Sequence, residues 1–357
     1  MISSIRLQNY RSYTDASFEF EPGVNIVVGP NASGKTNLLE AVMVLARGGS
    51  YRARDAELIQ FNKEWSRLES DFANHKRVAK LQTKALPPKS FEVDGKAYRR
   101  LGFERTVPMV YFEPNHLQLL TRGPDQRREY FDELLERSQP GFKTLFNSYK
   151  RTLAQRNSLL KRGHNSAKDQ LFAWDVRLSE LASQLAAARS GLTDRINQNL
   201  SKTYSQIAKH KSAADLEYGS QFPVANYASR MLHKLQASVS LDLERGFTGS
   251  GPHREDFTIK LNGQPASPSA SRGETRSLLL ALKIFELELI EEARGQKPIF
   301  LLDDVFSELD GSRRKALVAR LKKHQTIITT TDAEAVLEYF SGHHNLISIS
   351  RTNMKAR

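Results

Sequence analysis

Val24-Asn25-Ile26-Val27-Val28-Gly29-Pro30-Asn31-Ala32-Ser33-Gly34-Lys35-Thr36-Asn37-Leu38-Leu39 decides the fold. Val24 to Val28 is short, apolar and β-branched, which predicts a buried strand. Residues 29–36 fit G-x-x-x-x-G-K-[ST], the phosphate-binding loop. Leu38, Leu39, Val42 and Leu45 then recur at helical spacing. The order is therefore strand, glycine turn, helix. The chemistry needs that layout: glycines let backbone N–H groups curl around phosphates, and the helix N-terminus adds a positive field. Lys35 is placed for the β- and γ-phosphates of a nucleoside triphosphate, and the Thr36 hydroxyl for Mg2+. A chance glycine loop would lack the strand before it and the helix after it.

A nucleotide site of this kind needs an acid at the end of a second strand. Pro298-Ile299-Phe300-Leu301-Leu302-Asp303-Asp304 supplies one. Asp303 is expected to hold Mg2+, and Asp304 to orient or deprotonate the attacking water. Two acids capping a strand are otherwise ordinary solvated loop residues; the phosphate loop favours the metal role.

Further strands are expected at Ile2 to Gln8, its hairpin partner Ser17 to Glu21, Arg77 to Gln82, Val107 to Phe112, Asp256 to Leu261 and Gln325 to Thr331. Between Pro124 and Met231 strand signals fade. Leu181, Leu185, Ala188, Leu192 and Ile196 form a helical stripe too short for an extended coiled coil. Gly163-His164-Asn165-Ser166 reads as a turn between helices. Residues 143–211 carry thirteen Lys/Arg against four Asp/Glu, most of the chain's excess charge. The expected organisation is one α/β nucleotide-binding head built from residues 1–123 and 245–357, with a basic helical arm, 124–244, inserted.

The chain has 357 residues, 39% hydrophobic and 26% charged, which is ordinary globular composition. No apolar run approaches the roughly 18 residues needed to span a bilayer. The start has no signal-peptide character, and with no cysteine there is no disulfide, thiolate metal site or cysteine nucleophile. A cytoplasmic location is expected. The net charge of +13 favours a polyanionic partner such as nucleic acid. Arg151, Arg156, Lys161, Arg162, Lys202, Lys209 and Lys211 are candidates for DNA phosphate contact; each reads equally as part of a solvated helix face.

Ser271-Arg272-Gly273-Glu274 resembles the signature sequence of ABC-type ATPases, and Ser307-Glu308-Leu309-Asp310 their D-loop. Taken alone, Ser271 and Gly273 form a helix cap or an anion site. Leu7-Gln8-Asn9-Tyr10-Arg11-Ser12-Tyr13, the phosphate loop through Asn37, Phe112-Glu113-Pro114-Asn115-His116-Leu117 and Gly251-Pro252-His253-Arg254-Glu255-Asp256 together resemble the RecF family of ABC-type heads, which also include SMC and Rad50 proteins. The family pattern F-S-P-E-D-L has acids where this chain has Asn115 and His116. A switch histidine, common after the later strand, is replaced by Thr329-Thr330-Thr331. His324 reads as a surface residue.

The resemblance implies a weak, slow ATPase using ATP and Mg2+. Gly29 to Asn37 and Arg11 would lie at the nucleotide. Ser271 and Gly273 would cap the γ-phosphate bound by a partner copy, and Ser307 to Asp310 would cross the seam of an ATP-dependent homodimer. It further implies binding of double-stranded DNA and single-strand/double-strand junctions, action with RecO and RecR, promotion of RecA loading, and no membrane. A scaffold that merely docks repair proteins is the alternative; it differs in showing no salt-sensitive DNA binding of its own. A transporter ATPase subunit is disfavoured by the long insertion between Lys35 and Asp303. A small-molecule kinase needs neither the signature nor the D-loop, and an SMC-like protein needs a far longer coiled coil.

Overall fold

Met109–Phe112, Ile299–Asp303 and Thr326–Thr330 are buried at every position. Strands covered on both faces read as continuous apolar runs, and these lie in one parallel sheet. Its order is His344–Ser348, Val24–Val28, Thr326–Thr330, Ile299–Asp303, Met109–Phe112. The computed structural model describes residues 1–73, 75–162, 167–321, 323–340 and 343–350. The turn expected at Gly163 to Ser166 lies outside them.

A second, antiparallel sheet runs Tyr13–Glu19, Ile2–Tyr10, Trp65–Phe72, His75–Gln82, Lys89–Val93, Lys96–Tyr98. Its strands alternate buried and exposed residues, as expected where one face meets the core. The helix Lys35–Arg47 packs against both sheets, burying Leu38, Leu39, Val42 and Leu45 in one core with Leu7, Leu68, Leu301 and Ile327. It starts after Gly34 and stops at Gly48, both left-handed; the Gly48 N–H closes on the Val44 carbonyl at 2.9 Å. A glycine at such an end costs no steric strain.

The hairpin partner of the first strand begins at Tyr13, four residues earlier than expected from Ser17. Tyr10 pairs with Tyr13 across an Arg11-Ser12 turn. Arg11 itself takes φ +49°, so no glycine advertises the turn. The strands Trp65–Phe72, Lys89–Val93, Lys96–Tyr98, Ala214–Gly219 and His344–Ser348 were not among the expected ones. In Trp65–Phe72 the buried face includes Ser66 and Ser70, which blurs the alternation.

The chain divides into two compact units, 1–117 with 286–357, and 118–285. The boundary expected at 244/245 instead falls inside the second unit. Asp256–Leu261 pairs along its length with Ala214–Gly219, which lies inside the stretch where strand signals fade and a helical arm is expected. The second unit otherwise holds the helices Pro124–Ser138, Phe142–Arg162, Ala167–Asn197, Leu200–Ala208, Tyr227–Ala237 and Val239–Arg245. Leu181, Leu185, Leu192 and Ile196 of the expected stripe are buried in it. The helix Arg272–Arg294 contributes residues to both units.

Candidate functional site

The parallel sheet brings the C-terminal ends of Val24–Val28, Thr326–Thr330 and Ile299–Asp303 side by side. The phosphate loop leaves the first of these strands and re-enters the helix at Lys35. Ala32 at φ +61° and Gly34 at φ +95° give it its curl. A Cβ on Gly29 would stand 2.5 Å from the Ile349 carbonyl and 2.6 Å from Ser33 Oγ, so only glycine fits. A Cβ on Gly34 would meet the Tyr13 hydroxyl at 2.8 Å, and that hydroxyl donates to the Gly34 carbonyl at 3.0 Å. Lys35 Nζ donates to the carbonyls of Gly29 (2.7 Å) and Pro30 (3.0 Å). Pro30, Asn31 and Ala32 are exposed at the loop crest. Ser33 Oγ is buried with no hydrogen-bond partner among the described residues.

Asp303 ends its strand 8% exposed. Hydroxyls reach it from three directions: Thr36 to Oδ1 at 3.1 Å, Thr329 to Oδ1 at 2.6 Å and Tyr111 to Oδ2 at 3.2 Å. Mg2+ is bound through one or two carboxylates plus substrate phosphates. Thr36 and Asp303, hard oxygen donors already in contact, fit that ion. The unpartnered Ser33 hydroxyl and the glycine-only loop fit a polyphosphate.

Asp304 takes a left-handed conformation, φ +52°, and its N–H reaches the Thr329 hydroxyl at 3.1 Å. Burial, then the nearby Asp303 and Glu308 carboxylates, push its pKa up against the pull of Lys35. Burial lowers that of Lys35, opposed by Asp304 and Asp303. The pair thus sits in a partly dry site where each charge needs the other.

Arg11 grips Glu40 with two bonds, 2.9 and 3.0 Å. Arg52 donates to the same carboxylate at 3.1 Å and to Asn37 Oδ1 at 2.7 Å, and Ser50 adds a bond of 2.6 Å to Glu40. Burial alone would raise the Glu40 pKa; the bonds from Arg11, Arg52 and Ser50 outweigh it and bring it to about 2. Two guanidinium groups on one carboxylate leave a net positive charge beside Asn37, at the start of the phosphate-loop helix. Glu40, Arg52 and Tyr111 escaped the sequence reading as contributors; Thr329 was read only as part of the stretch that replaces a switch histidine, not as a partner of Asp303. Glu40 left one signal, a lone acid between Leu39 and Ala41 on an apolar helix.

Ser271 and Gly273 lie in the second unit, at the start of Arg272–Arg294. Ser271 Oγ accepts the Glu274 N–H at 3.2 Å, and Glu274 accepts the Ser271 N–H at 2.8 Å. This reciprocal pair is a capping box. Of the residues expected to form a D-loop, Ser307 donates to the Asp304 carbonyl at 2.7 Å, Leu309 is buried, Glu308 is half-buried, and Asp310 accepts the Arg313 N–H at 3.0 Å.

Arg151, Lys161, Arg162, Lys202, Lys209 and Lys211 are exposed. Arg156 is not: it is fully buried and bound to Asp175 at 2.6 Å, Asp242 at 2.8 Å and Thr248 at 2.9 Å. It is an interior ion pair, which removes it from the DNA-facing candidates. His324 also departs from expectation. It is 8% exposed, with Nε2 3.8 Å from Glu291, and burial lowers its pKa.

The Gly251-to-Asp256 segment builds the second unit. A Cβ on Gly251 would meet Met231 Cε at 2.8 Å. The Pro252 carbonyl takes Arg189 at 2.7 Å, and Arg189 holds Asp132 through two bonds. His253 Nδ1 is 2.6 Å from the Tyr149 hydroxyl and Nε2 is 3.1 Å from the Thr248 carbonyl. Glu255 receives the Tyr227 hydroxyl and the Gln221 N–H, and Asp256 pairs with Arg127.

The RecF/RecN/SMC N terminal domain matches residues 1–356. A DNA replication and repair protein RecF from Heliobacterium modesticaldum is 37% identical over 346 residues, 94% of this chain and 93% of its own. The chain belongs to the RecF family. A solved RecF, described as the recombination mediator protein RecF-ATP in the RecFOR pathway, superimposes with a TM-score of 0.84 at 31% identity, covering 93% of this chain and 92% of that one. An Smc head bound to a winged-helix domain of ScpA, 15% identical, gives a TM-score of 0.53 over 94% of this chain and 91% of its own; it shares the fold. The RecF architecture is thus that of an ABC-type ATPase head, mixed α/β with a helical arm. No helix among the described residues is long and apolar enough to cross a membrane.

Proposed function

We propose that this chain is an ATP-switched repair clamp: a slow ATPase that pairs with a second copy on ATP and grips duplex DNA near single-strand gaps. The observation that carries the reading is the meeting of Thr36 and Asp303, 267 residues apart in sequence and 3.1 Å apart in space, beside a phosphate loop whose Gly29 and Gly34 leave no room for a Cβ. The relatives named as DNA replication and repair proteins support the cellular role. The work with RecO and RecR, and the delivery of RecA to single strands, is proposed on the same ground.

Thr36 and Asp303 are the residues that hold Mg2+. Bound there, the ion would supply charge neutralisation for phosphoryl transfer. Lys35 exchanges the Gly29 and Pro30 carbonyls for phosphate oxygens. Arg11 and Arg52, held on Glu40, add positive field beside the helix start. Asp304 orients and deprotonates the attacking water. Ser271 and Gly273 of a second copy close over the γ-phosphate, and residues 307–310 run along the seam. Pairing brings two arms together, so that Arg151, Lys161, Arg162, Lys202, Lys209 and Lys211 contact DNA phosphates without reading bases.

Sizing the protein with and without ATP and Mg2+, then adding duplex DNA over a salt series, tests this. A two-copy species that needs both ligands, with DNA affinity falling steeply with salt, is expected. A single copy at saturating nucleotide would remove the clamp. Pairing without intrinsic DNA affinity at low salt would leave a protein-docking scaffold instead.

A further inference from the structure

Asp303 is flanked by two parallel strands, and each sends a hydroxyl to a different carboxylate oxygen. Thr329, opposite Asp303 in register, takes Oδ1. Tyr111 comes from the strand on the other side, where it is paired with Leu301, and reaches Oδ2 at 3.2 Å. Thr36 shares Oδ1 at 3.1 Å, and in the proposed function it is the hydroxyl that would join Asp303 in holding a metal. Thr329 and Tyr111 remain as the fixed bracket.

The Tyr111 hydroxyl is also 3.1 Å from Glu113 Oε2 and hydrogen-bonds the Tyr51 hydroxyl. The Tyr51 ring packs tilted against the Tyr111 ring, centroids 4.4 Å and planes 46° apart. Tyr111 is 6% exposed, so its ring has little room to leave. A phenol carries one proton. With Tyr51 donating to its oxygen, Tyr111 can serve Asp303 or Glu113, but not both together. Glu113 stands where the F-S-P-E-D-L pattern has serine, so this competition is a property of this chain's own residues.

We propose that Tyr111, backed by Tyr51, is a positioning residue for the magnesium carboxylate, and that its single hydroxyl proton is shared between Asp303 and Glu113. The proposal rests on Asp303 holding Mg2+. Tyr111 orients Oδ2 and so fixes the direction of Oδ1. Hydrogen-bond partners behind a metal ligand are worth about 10–100-fold in metal affinity. The Tyr111 hydroxyl, within reach of both carboxylates, would link a metal site at Asp303 to the Glu113-Pro114-Asn115-His116 segment.

The experiment measures binding of a fluorescent ATP analogue to the full chain, with Mg2+ and with the metal chelated, in the parent and in Tyr111→Phe, Tyr51→Phe, Glu113→Gln and Asp303→Asn. The readout is the ratio of the two affinities, which a general loss of structure would not move selectively. Tyr111→Phe is expected to lower the ratio about tenfold while metal-free affinity stays within about twofold. Tyr51→Phe lowers it less, and Glu113→Gln leaves it unchanged or raises it. Equal losses with and without metal in Tyr111→Phe, or a Glu113→Gln drop matching that of Tyr111→Phe, overturn the assignment. If Asp303→Asn collapses the ratio while Tyr111→Phe keeps it at the parent value, the hydroxyl role falls alone. If Asp303→Asn leaves the ratio at the parent value, the magnesium reading falls and takes the hydroxyl role with it.

Discussion

Thr329 faces Asp303 across two parallel strands, and one hydroxyl serves both acids of the site: it donates to Asp303 Oδ1 at 2.6 Å and lies 3.1 Å from the Asp304 N–H. These two bonds tie Asp303 and the Asp304 backbone to one hydroxyl. Thr329→Val keeps the β-branched shape and removes the hydroxyl. Single-turnover ATP hydrolysis is expected to slow by about 10–100-fold, with metal-free nucleotide affinity nearly unchanged. Parental hydrolysis in this variant would deny Thr329 any part in aligning the acids.

Asp304→Asn is the appropriate probe of the water-activating role because Asn, like Asp, tolerates the left-handed backbone at φ +52°. Loss of a general base costs roughly 10²–10⁴-fold. Nucleotide-dependent pairing should persist and accumulate in this variant, read by sizing alongside phosphate release. Lys35→Ala should abolish pairing. Normal turnover in Asp304→Asn would mean another group activates the water.

Arg156 and its exposed neighbours should separate cleanly. Arg156→Ala strips the partner from the buried Asp175 and Asp242 carboxylates, which costs about 3–5 kcal/mol. The loss will appear in denaturant unfolding with or without DNA. Lys161→Ala and Arg162→Ala should leave unfolding unchanged and reduce the salt slope of DNA binding by about 1 each. A parental slope in both would place the DNA elsewhere.

Acid should act on the two units in different pH windows. Burial, then neighbouring arginines, lower the His253 pKa from 6.5 to about 4. The folded state resists a proton that the unfolded chain accepts, so this stability is complete above 6.5 and lost as pH falls towards 4. His253→Asn keeps a donor and an acceptor and should flatten that loss. Glu40, lowered from 4.5 to about 2, contributes stability that is present above 4.5 and fades as pH drops towards 2; Glu40→Gln should erase that limb. Unfolding midpoints at pH 7, 5.5 and 4 check the first, and identical slopes for parent and His253→Asn would refute it.

The elements with clean periodicity were legible before any coordinates. Val24–Val28 and Asp256–Leu261 begin and end where their apolar patterns do. Lys35, Thr36, Asp303 and Asp304 were readable because the phosphate loop and the acid-capped strand each carry a local signal. What brings them together is pairing across the sheet, which no local window contains. Tyr111 and Thr329 matter only because their strands flank Asp303, and Arg52 only because Glu40 turns inward. Arg156 misled because charge is visible in sequence and burial is not. The Gly251-to-Asp256 segment carried the family resemblance, and Pro252, His253, Glu255 and Asp256 in it bond other residues of the second unit.

The parallel sheet joins strands far apart in sequence: Asn25 bonds Thr326 across 301 residues, and Val24–Val28 pairs with Thr326–Thr330. Residues 118–285 are continuous and carry their own sheet and buried ion pairs. During synthesis, domains fold as units as they emerge, and long-range strand pairing is slow. The inserted arm can therefore close first, while the phosphate loop waits, made but without its acid, until the strand ending at Asp303 and the Thr326–Thr330 strand that spaces it from the loop have left the ribosome. Newly made chains would lack the acid beside the phosphate loop until residues 299–330 have appeared.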